Sequence, residues 1–294
     1  HSGDYAGLAV LRYYQVYRTL VRAKVTGIRL QQLAPGDPER ERDRAELAHY
    51  LEQAEAYTGA PHPRLVITRG LSGSGKSVLS AGLVEALGAV RLRSDVERKR
   101  LAGLAPLART GSAPGEGIYG PEMTERTMAR LRDLAREVLA AGYPVVVDAT
   151  FLERRWRDAM AATAAGAGVP FVILEVRCPE AELRRRVAAR QGDASEAGLA
   201  VLEGQLADFT PLDPDEARFT LGVDNGGGKI LQAIMNLADA EKHPEFKGDF
   251  GAVYSYPLRG GPGGSCGHYG GNAKTYMNVG LAMGETMVNL LKND

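Results

Sequence analysis

The stretch from Leu65 to Leu79, LVITRGLSGSGKSVL, constrains what this chain can fold into more than any other. An apolar run, Leu65 to Thr68, passes into a glycine- and serine-rich turn and then into a helical pattern. Gly70, Gly75, Lys76 and Ser77 meet the spacing G-x-x-x-x-G-K-[ST]. The loop Gly70-Leu71-Ser72-Gly73-Ser74-Gly75-Lys76-Ser77, with Val78 after it, is therefore expected to turn backbone N–H groups onto a phosphate. Lys76 reaches the outer oxygens and Ser77 offers a hydroxyl to Mg²⁺. The helix that follows points its positive end at the same anion. This pattern predicts nucleoside triphosphate binding and leaves kinase, hydrolase and switch open.

A chain of 294 residues has room for about two domains. Basic and acidic residues balance at 36 each, so no bulk field draws the chain to nucleic acid or to an anionic membrane. Two cysteines, Cys178 and Cys266, are too few for a disulfide framework and suit a reducing compartment. The apolar runs are short and broken by charge, so neither a signal peptide nor a membrane span is expected, and the chain reads as cytoplasmic.

Residues 1–58 read as helix with a turn at Pro35-Gly36-Asp37-Pro38. Tyr13, Tyr14 and Tyr17 could form a ligand-stacking set, but their helical spacing favours core packing. From 61 to 218 strands and helices alternate, which predicts an α/β domain with an open parallel sheet and crossover helices. Its strands are Leu65–Thr68, Ala89–Arg93, Tyr143–Asp148 and Phe171–Val176. Helices follow Lys76 and cover Glu97–Leu101, Met123–Ala141, Glu153–Ala165 and Glu182–Arg190, and Gly103–Gly120 reads as a mobile loop.

Ligands of open α/β sheets bind at the carboxyl ends of the strands, and two carboxylates are delivered there. Asp148 closes an apolar strand and can hold the Mg²⁺ shell, or instead cap the following helix. Asp95 follows the second strand and can act as the base for a substrate hydroxyl, or cap the helix from Val96, a task open to Ser94 as well. Arg186 and Arg190 are four apart on one helix face and can swing over a triphosphate as a lid, or form a solvated basic face. Five arginines between 177 and 190 outnumber the acidic partners expected nearby, which favours the lid. Arg93 and Arg98, on either side of Asp95, can contact an anionic substrate.

Taken together, GLSGSGKS, Arg93-Ser94-Asp95, VVVDATF at 145–151 and the Arg186/Arg190 pair resemble a bacterial P-loop kinase family similar to gluconate kinase, polynucleotide kinase and zeta-toxin-like enzymes. The resemblance covers roughly residues 61–216. It implies a three-layer P-loop sandwich and an ATP-dependent kinase that phosphorylates an alcohol group of a small molecule. Lys76 and Ser77 would bind ATP and Mg²⁺, Asp95 would act on the acceptor, and Arg186 and Arg190 would belong to the lid. The Gly103–Gly120 loop matches no substrate pocket of a named member. Upstream, Gly3-Asp4-Tyr5, Leu11-Arg12-Tyr13-Tyr14, Tyr17-Arg18 and Val21 to Val25 resemble the closing helices of an aminoglycoside-phosphotransferase-like domain. The nucleotide lobe and His-x-Asp loop that this implies are not in the sequence, so residues 1–58 are expected to pack without phosphotransferase activity of their own.

Composition changes near residue 219. Residues 1–218 hold no asparagine and three lysines, whereas 219–294 hold six asparagines, five lysines and one arginine, Arg259. This glycine-rich tail is read as a fusion or artefact, and the α/β domain is expected to fold without residues 220–294. Cys266 and His268 lack companion ligands or an orienting acid and are assigned no chemistry. Gly226-Gly227-Gly228-Lys229 lacks the phosphate-loop spacing. An alternative function is an inactive nucleotide-binding protein that engages a protein partner through the N-terminal helices or the tail.

Overall fold

The computed structural model describes residues 3–59, 62–111, 115–189 and 194–225. Arg190 and everything expected of residues 226–294, Cys266 and His268 included, lie outside the described residues. Helices α1 (Leu8–Gln32) and α2 (Glu39–Thr58) precede β1 (Leu65–Arg69), α3 (Lys76–Leu87), β2 (Val90–Arg93), α4 (Ser94–Leu101), α5 (Pro121–Ala140), β3 (Val145–Asp148), α6 (Arg154–Ala167), β4 (Phe171–Arg177), α7 (Glu180–Ala188), α8 (Leu199–Ala207) and β5 (Thr220–Asp224). Among the described residues no helix is long and apolar enough to cross a membrane.

The five strands form one parallel sheet in the order β2-β3-β1-β4-β5. Every residue of β1 and β3 is buried, as central strands covered on both faces require. On one face α3 sets Leu79 and Leu83 against Val66, Val146, Leu174 and Val223. On the other, α5 lays Met128, Leu131, Leu134, Ala135 and Val138 against Leu65, Ile67 and Val147. The 3–4 spacing of that α5 stripe is the amphipathic pattern, and each fully buried leucine contributes ~2 kcal/mol. Arg93 pairs in register with Asp148, so β1, β2 and β3 deliver the phosphate loop, Asp95 and Asp148 to the same sheet edge.

Helices α1 and α2 form an antiparallel hairpin whose seam on α1 uses the small residues Thr19, Ala23 and Thr26. Arg29 crosses it to the fully buried Asp43, at 2.5 Å. The hairpin meets the sheet domain through its first turns: Tyr5 donates to Glu97 (2.9 Å) and Arg12 to the Gly142 carbonyl (2.9 Å). The expectation that the tyrosines pack in a core is corrected here. Tyr13, Tyr14 and Tyr17 are 68, 55 and 55 % exposed. A two-helix hairpin covers one stripe per helix, and on α1 that stripe is taken by the small residues, which leaves the aromatic side outward. Tyr13 and Tyr17 stack on each other there, ring centres 6.3 Å apart.

The expected boundary at residue 218 is also corrected, because β5 pairs with β4 from Ile173↔Thr220 to Arg177↔Asp224 and buries Val223. A 3₁₀ turn, Pro214–Phe219, leads into it and is fixed by a buried ion pair, Arg157 to Glu216 at 2.6 Å. The bond from Arg157 holds the Glu216 carboxyl below its ordinary 4.5, against the opposing effect of burial. A depressed folded pKa contributes stability that is present above the unfolded value and lost as pH falls through the folded one. Resistance to denaturant should therefore fall as pH drops below 4.5. A Glu216→Gln protein should show a flatter profile through that window; equal slopes would remove Glu216 from the acid response.

Candidate active site

The loop between β1 and α3 is threaded against neighbouring backbone. At Gly70 (φ +147°) a Cβ would come within 2.5 Å of the Val176 carbonyl, and at Gly73 (φ +85°) within 3.0 Å of the Leu183 carbonyl. Only glycine fits both the space and the left-handed conformation. Three distant groups brace the turn: Gln205 of α8 accepts from the Ser72 N–H (2.8 Å), Asn225 donates its side-chain amide to the Ser74 carbonyl (2.6 Å), and Arg186 lies 3.4 Å from that carbonyl. Lys76 is buried and donates to the Leu71 carbonyl at 2.7 Å, so its ammonium is folded back across the loop.

Ser72, Gly73, Gly75, Lys76, Ser77 and Val78 line a cavity of about 640 Å³, together with Asp95, Asp148 and Arg186. Gly70, Leu71 and Ser74 line a second cavity behind the loop. They shape the turn from its far side.

Asp148 is held beside the phosphate loop by several donors. Its Oδ2 accepts from Ser80 (3.1 Å) and Arg91 (2.5 Å), with Arg93 at 3.7 Å. Ser80 and Arg91 also donate to the Ser77 carbonyl, which ties Ser77 and Asp148 together. One hydroxyl and one carboxylate facing a phosphate loop fit Mg²⁺, which keeps several waters and takes its other oxygens from the nucleotide. Among the described residues no cluster of three His, Cys, Asp or Glu side chains offers a cage by itself. The capping alternative for Asp148 does not hold, because α6 starts at Arg154 with Glu153 at its cap position and no side-chain cap bond.

The same cavity is lined by Asp95, Arg98, Tyr119, Thr124 and Glu196. Helix α4 begins directly at Ser94 behind β2, so Asp95 lies inside its first turn and is not its cap. Arg98 donates to the Ile118 carbonyl and the Thr124 hydroxyl, and its guanidinium lies over the Tyr119 ring. It makes no ion pair among the described residues, its Nε is buried without a hydrogen-bond partner, and burial lowers its pKa. Burial, then Asp95 and Glu196, pushes the Tyr119 hydroxyl up to about 12. A desolvated guanidinium beside a carboxylate and a neutral phenol is a receptor for a hydroxylated anion.

Arg186, the expected lid residue, lines the cavity beside the phosphate loop. It pairs with Glu182 (2.6 Å) and donates to the Asn225 carbonyl, bracing the loop from the side. The expected surplus of arginine is absent among the described residues: Arg177 pairs with Glu175, Arg184 with Glu180 and Glu203, and Arg185 with Glu182. The bonds from Arg185 and Arg186 hold the Glu182 carboxyl down at about 2. Sequence reasoning missed Ser80, Arg91, Gln205, Glu196 and Asn225. A signal existed for Arg91: in Val-Arg-Leu-Arg the buried Leu92 puts Arg91 and Arg93 together on the other face. Gln205, Glu196 and Asn225 reach the site from far along the chain, with no local pattern, and Ser80 on α3 acts on the distant Asp148.

Comparison with known proteins agrees with this architecture. Uncharacterized proteins of Mycobacterium tuberculosis and Mycobacterium bovis are 29% identical over 213 residues, covering 71% of this chain and 41% of theirs. The chain thus spans about two fifths of the length of these curated relatives. A gluconokinase of Gluconobacter oxydans is 25% identical over 186 residues, 61% of this chain and 93% of that protein. Among solved structures, a sugar kinase from Janibacter sp. HTCC2649 is 19% identical with a TM-score of 0.44, covering 62% of this chain and 97% of that one. A gluconokinase from Sinorhizobium meliloti 1021 is 25% identical with a TM-score of 0.38, covering 56% and 83%. A family model described as AAA domain matches residues 65–212, half of the chain, from the first residue of β1 past the end of α8. With the phosphate loop, four of the five sheet strands and both Ser77 and Asp148 inside that span, the chain belongs to this AAA domain family and carries a kinase-like P-loop fold.

Proposed function

We propose that the chain is an ATP-dependent phosphotransferase that moves the γ-phosphoryl group of ATP to a hydroxyl of a small metabolite bearing an anionic group. The observation that carries this reading is a single cavity lined both by the phosphate loop and by Asp95 with the desolvated Arg98. At about 640 Å³ it suits a small molecule. Asp95 takes the hydroxyl proton as the acceptor oxygen bonds to the γ-phosphorus and the bond to the β–γ bridging oxygen breaks, releasing ADP. Lys76 and the loop N–H groups offset the charge that builds on the phosphates. Ser77 and Asp148 would hold Mg²⁺, which supplies further positive charge at the phosphate oxygens. The name gluconokinase belongs to the relative, and it supports a polyhydroxy acid as the acceptor class here.

The test is ATP consumption against a panel of polyols, sugars and sugar acids, run with wild type and Asp95→Asn. The variant should bind ATP within about twofold of wild type and lose transfer by at least ~100-fold. Full-rate transfer would make Asp95 structural. A second reading, a nucleotide binder that acts by engaging a protein, draws on the exposed tyrosine face of α1. It requires ATP binding without turnover for any acceptor, in both proteins.

A further inference from the structure

We propose that Glu196 is a positioning residue that sets acceptor specificity, by fastening the outer wall of the acceptor pocket to the helix that carries Asp95. This inference rests on the phosphotransferase reading above. Glu196 lies in the segment between α7 and α8, a hundred residues from Asp95 in sequence, yet both line the same cavity. Its Oε2 accepts from the Thr110 N–H (2.9 Å), the Thr110 hydroxyl (3.1 Å) and the Gly111 N–H (3.4 Å). Its Oε1 lies 3.1 Å from Nζ of Lys99. Lys99 is fully buried, sits one helical turn after Asp95 on α4, and donates to the Ala194 carbonyl at 2.7 Å. One carboxylate thus joins the 104–111 segment, the 194–197 segment and α4.

The arrangement is costly unless the pocket needs it. A lysine with no exposed surface is offset by one glutamate whose side chain is 10% exposed, and a buried pair of this kind adds little net stability over an apolar contact. Burial pushes the Glu196 carboxyl up, but the bonds from Thr110 and Lys99 outweigh it and hold it below the usual carboxylate range. Both oxygens of Glu196 are thus engaged, Oε2 by Thr110 and Gly111 and Oε1 by Lys99. Two buried polar atoms near it, the Tyr119 hydroxyl and Nε of Arg98, have no hydrogen-bond partner among the described residues, and both residues line the cavity. A hydroxyl and a guanidinium N–H in one pocket are the complement of a compound that carries a hydroxyl and an anionic group. The ends of that recognition surface stand on α4 and on the segments that Glu196 ties to it, so the carboxylate fixes their spacing.

The experiment compares wild type, Glu196→Gln and the double variant Lys99→Met/Glu196→Gln, which removes both buried charges and so keeps the folded state accessible. Sugar acids, with D-gluconate as the first probe, are assayed in the presence of MgATP. KM for the acid that turns over should rise at least ~10-fold in both variants, with KM for ATP within ~2-fold and kcat within ~3-fold. A parallel loss in all three parameters would make the role merely structural and overturn the proposal. Amide exchange on the unliganded proteins is read alongside: Thr110 and Gly111 should exchange at least ~10-fold faster in the double variant, with β1 amides unchanged. If wild type turns over no acid, the phosphotransferase reading fails by itself, and the exchange data then decide Glu196. Unchanged exchange at 110 and 111 would show that it fastens nothing.

Discussion

Lys76→Ala is expected to lower phosphoryl transfer by at least ~1,000-fold and to weaken ATP binding ~10-fold or more, while the protein melts within ~3 °C of wild type. The magnitudes follow from two separate interactions. In the ground state a hydrogen bond from an ammonium to a phosphate contributes ~1.5–3 kcal/mol. As charge shifts onto the leaving phosphates, a preorganised donor in a water-poor site contributes a further ~3–4 kcal/mol. The fold should tolerate the change because Lys76 lines a cavity and donates to the Leu71 carbonyl within its own loop, so no bond to the sheet is lost with it among those described. The backbone of the turn is held instead by Gln205, Asn225 and Arg186. Isothermal titration with ATP, a melt and single-turnover transfer together check this. Unchanged affinity with unchanged turnover would mean that the loop does not hold the triphosphate.

What could be read in the chain alone was whatever is local. The phosphate loop is contiguous, and its strand, turn and helix follow from composition, glycine placement and periodicity within fifteen residues. Strands β1 and β3 announce themselves as unbroken β-branched runs because both of their faces are covered. The tyrosines of α1 were misread by the same logic: helical spacing shows that residues share a face, but not whether anything covers it. Helix α8 and strand β5 were missed because Leu199–Ala207 and Thr220–Asp224 are short, and what holds them is long-range pairing with Leu183, Val187 and β4. The composition change at 219 pulled the expected boundary forward by a few residues. Of the site, the nucleotide end was legible, whereas the groups that set its precision were not. Arg91, Ser80 and Glu196 act by joining segments 14 to 86 residues apart.

Those joins make the nucleotide and acceptor ends mechanically dependent on one stretch of chain. Arg186 on α7 braces the phosphate loop, and Glu196, farther along the same connection, holds Thr110 beside the proposed acceptor pocket. Helix α8, next along, returns Gln205 to the loop N–H of Ser72. A shift of α7 and α8 on nucleotide binding would therefore be felt at both ends. Under the proposed reaction, this would give the chain a physical route for sensing one substrate while binding the other, through packed and hydrogen-bonded elements.

The strand at the far edge depends on the same network, so chains cut on either side of it should behave very differently. A chain ending at Arg218 loses β5, its pairing with all residues from Ile173 to Arg177, the buried Val223 and the packed Leu221. Two apolar side chains contribute ~2 kcal/mol each, and each ladder bond ~1 kcal/mol net. The loss of ~5 kcal/mol or more is comparable to the whole stability of many domains. It also strips the loop of Asn225, whose amide holds the Ser74 carbonyl and whose own carbonyl accepts from Arg186. This chain should melt at least ~10 °C below the 294-residue chain and bind ATP too weakly to measure. A chain ending at Asn225 keeps every one of those contacts and should retain ATP affinity within ~3-fold. The two melts and two titrations decide where the domain ends: if the shorter chain matches the longer, β5 is an accessory edge and the boundary near residue 218 is restored.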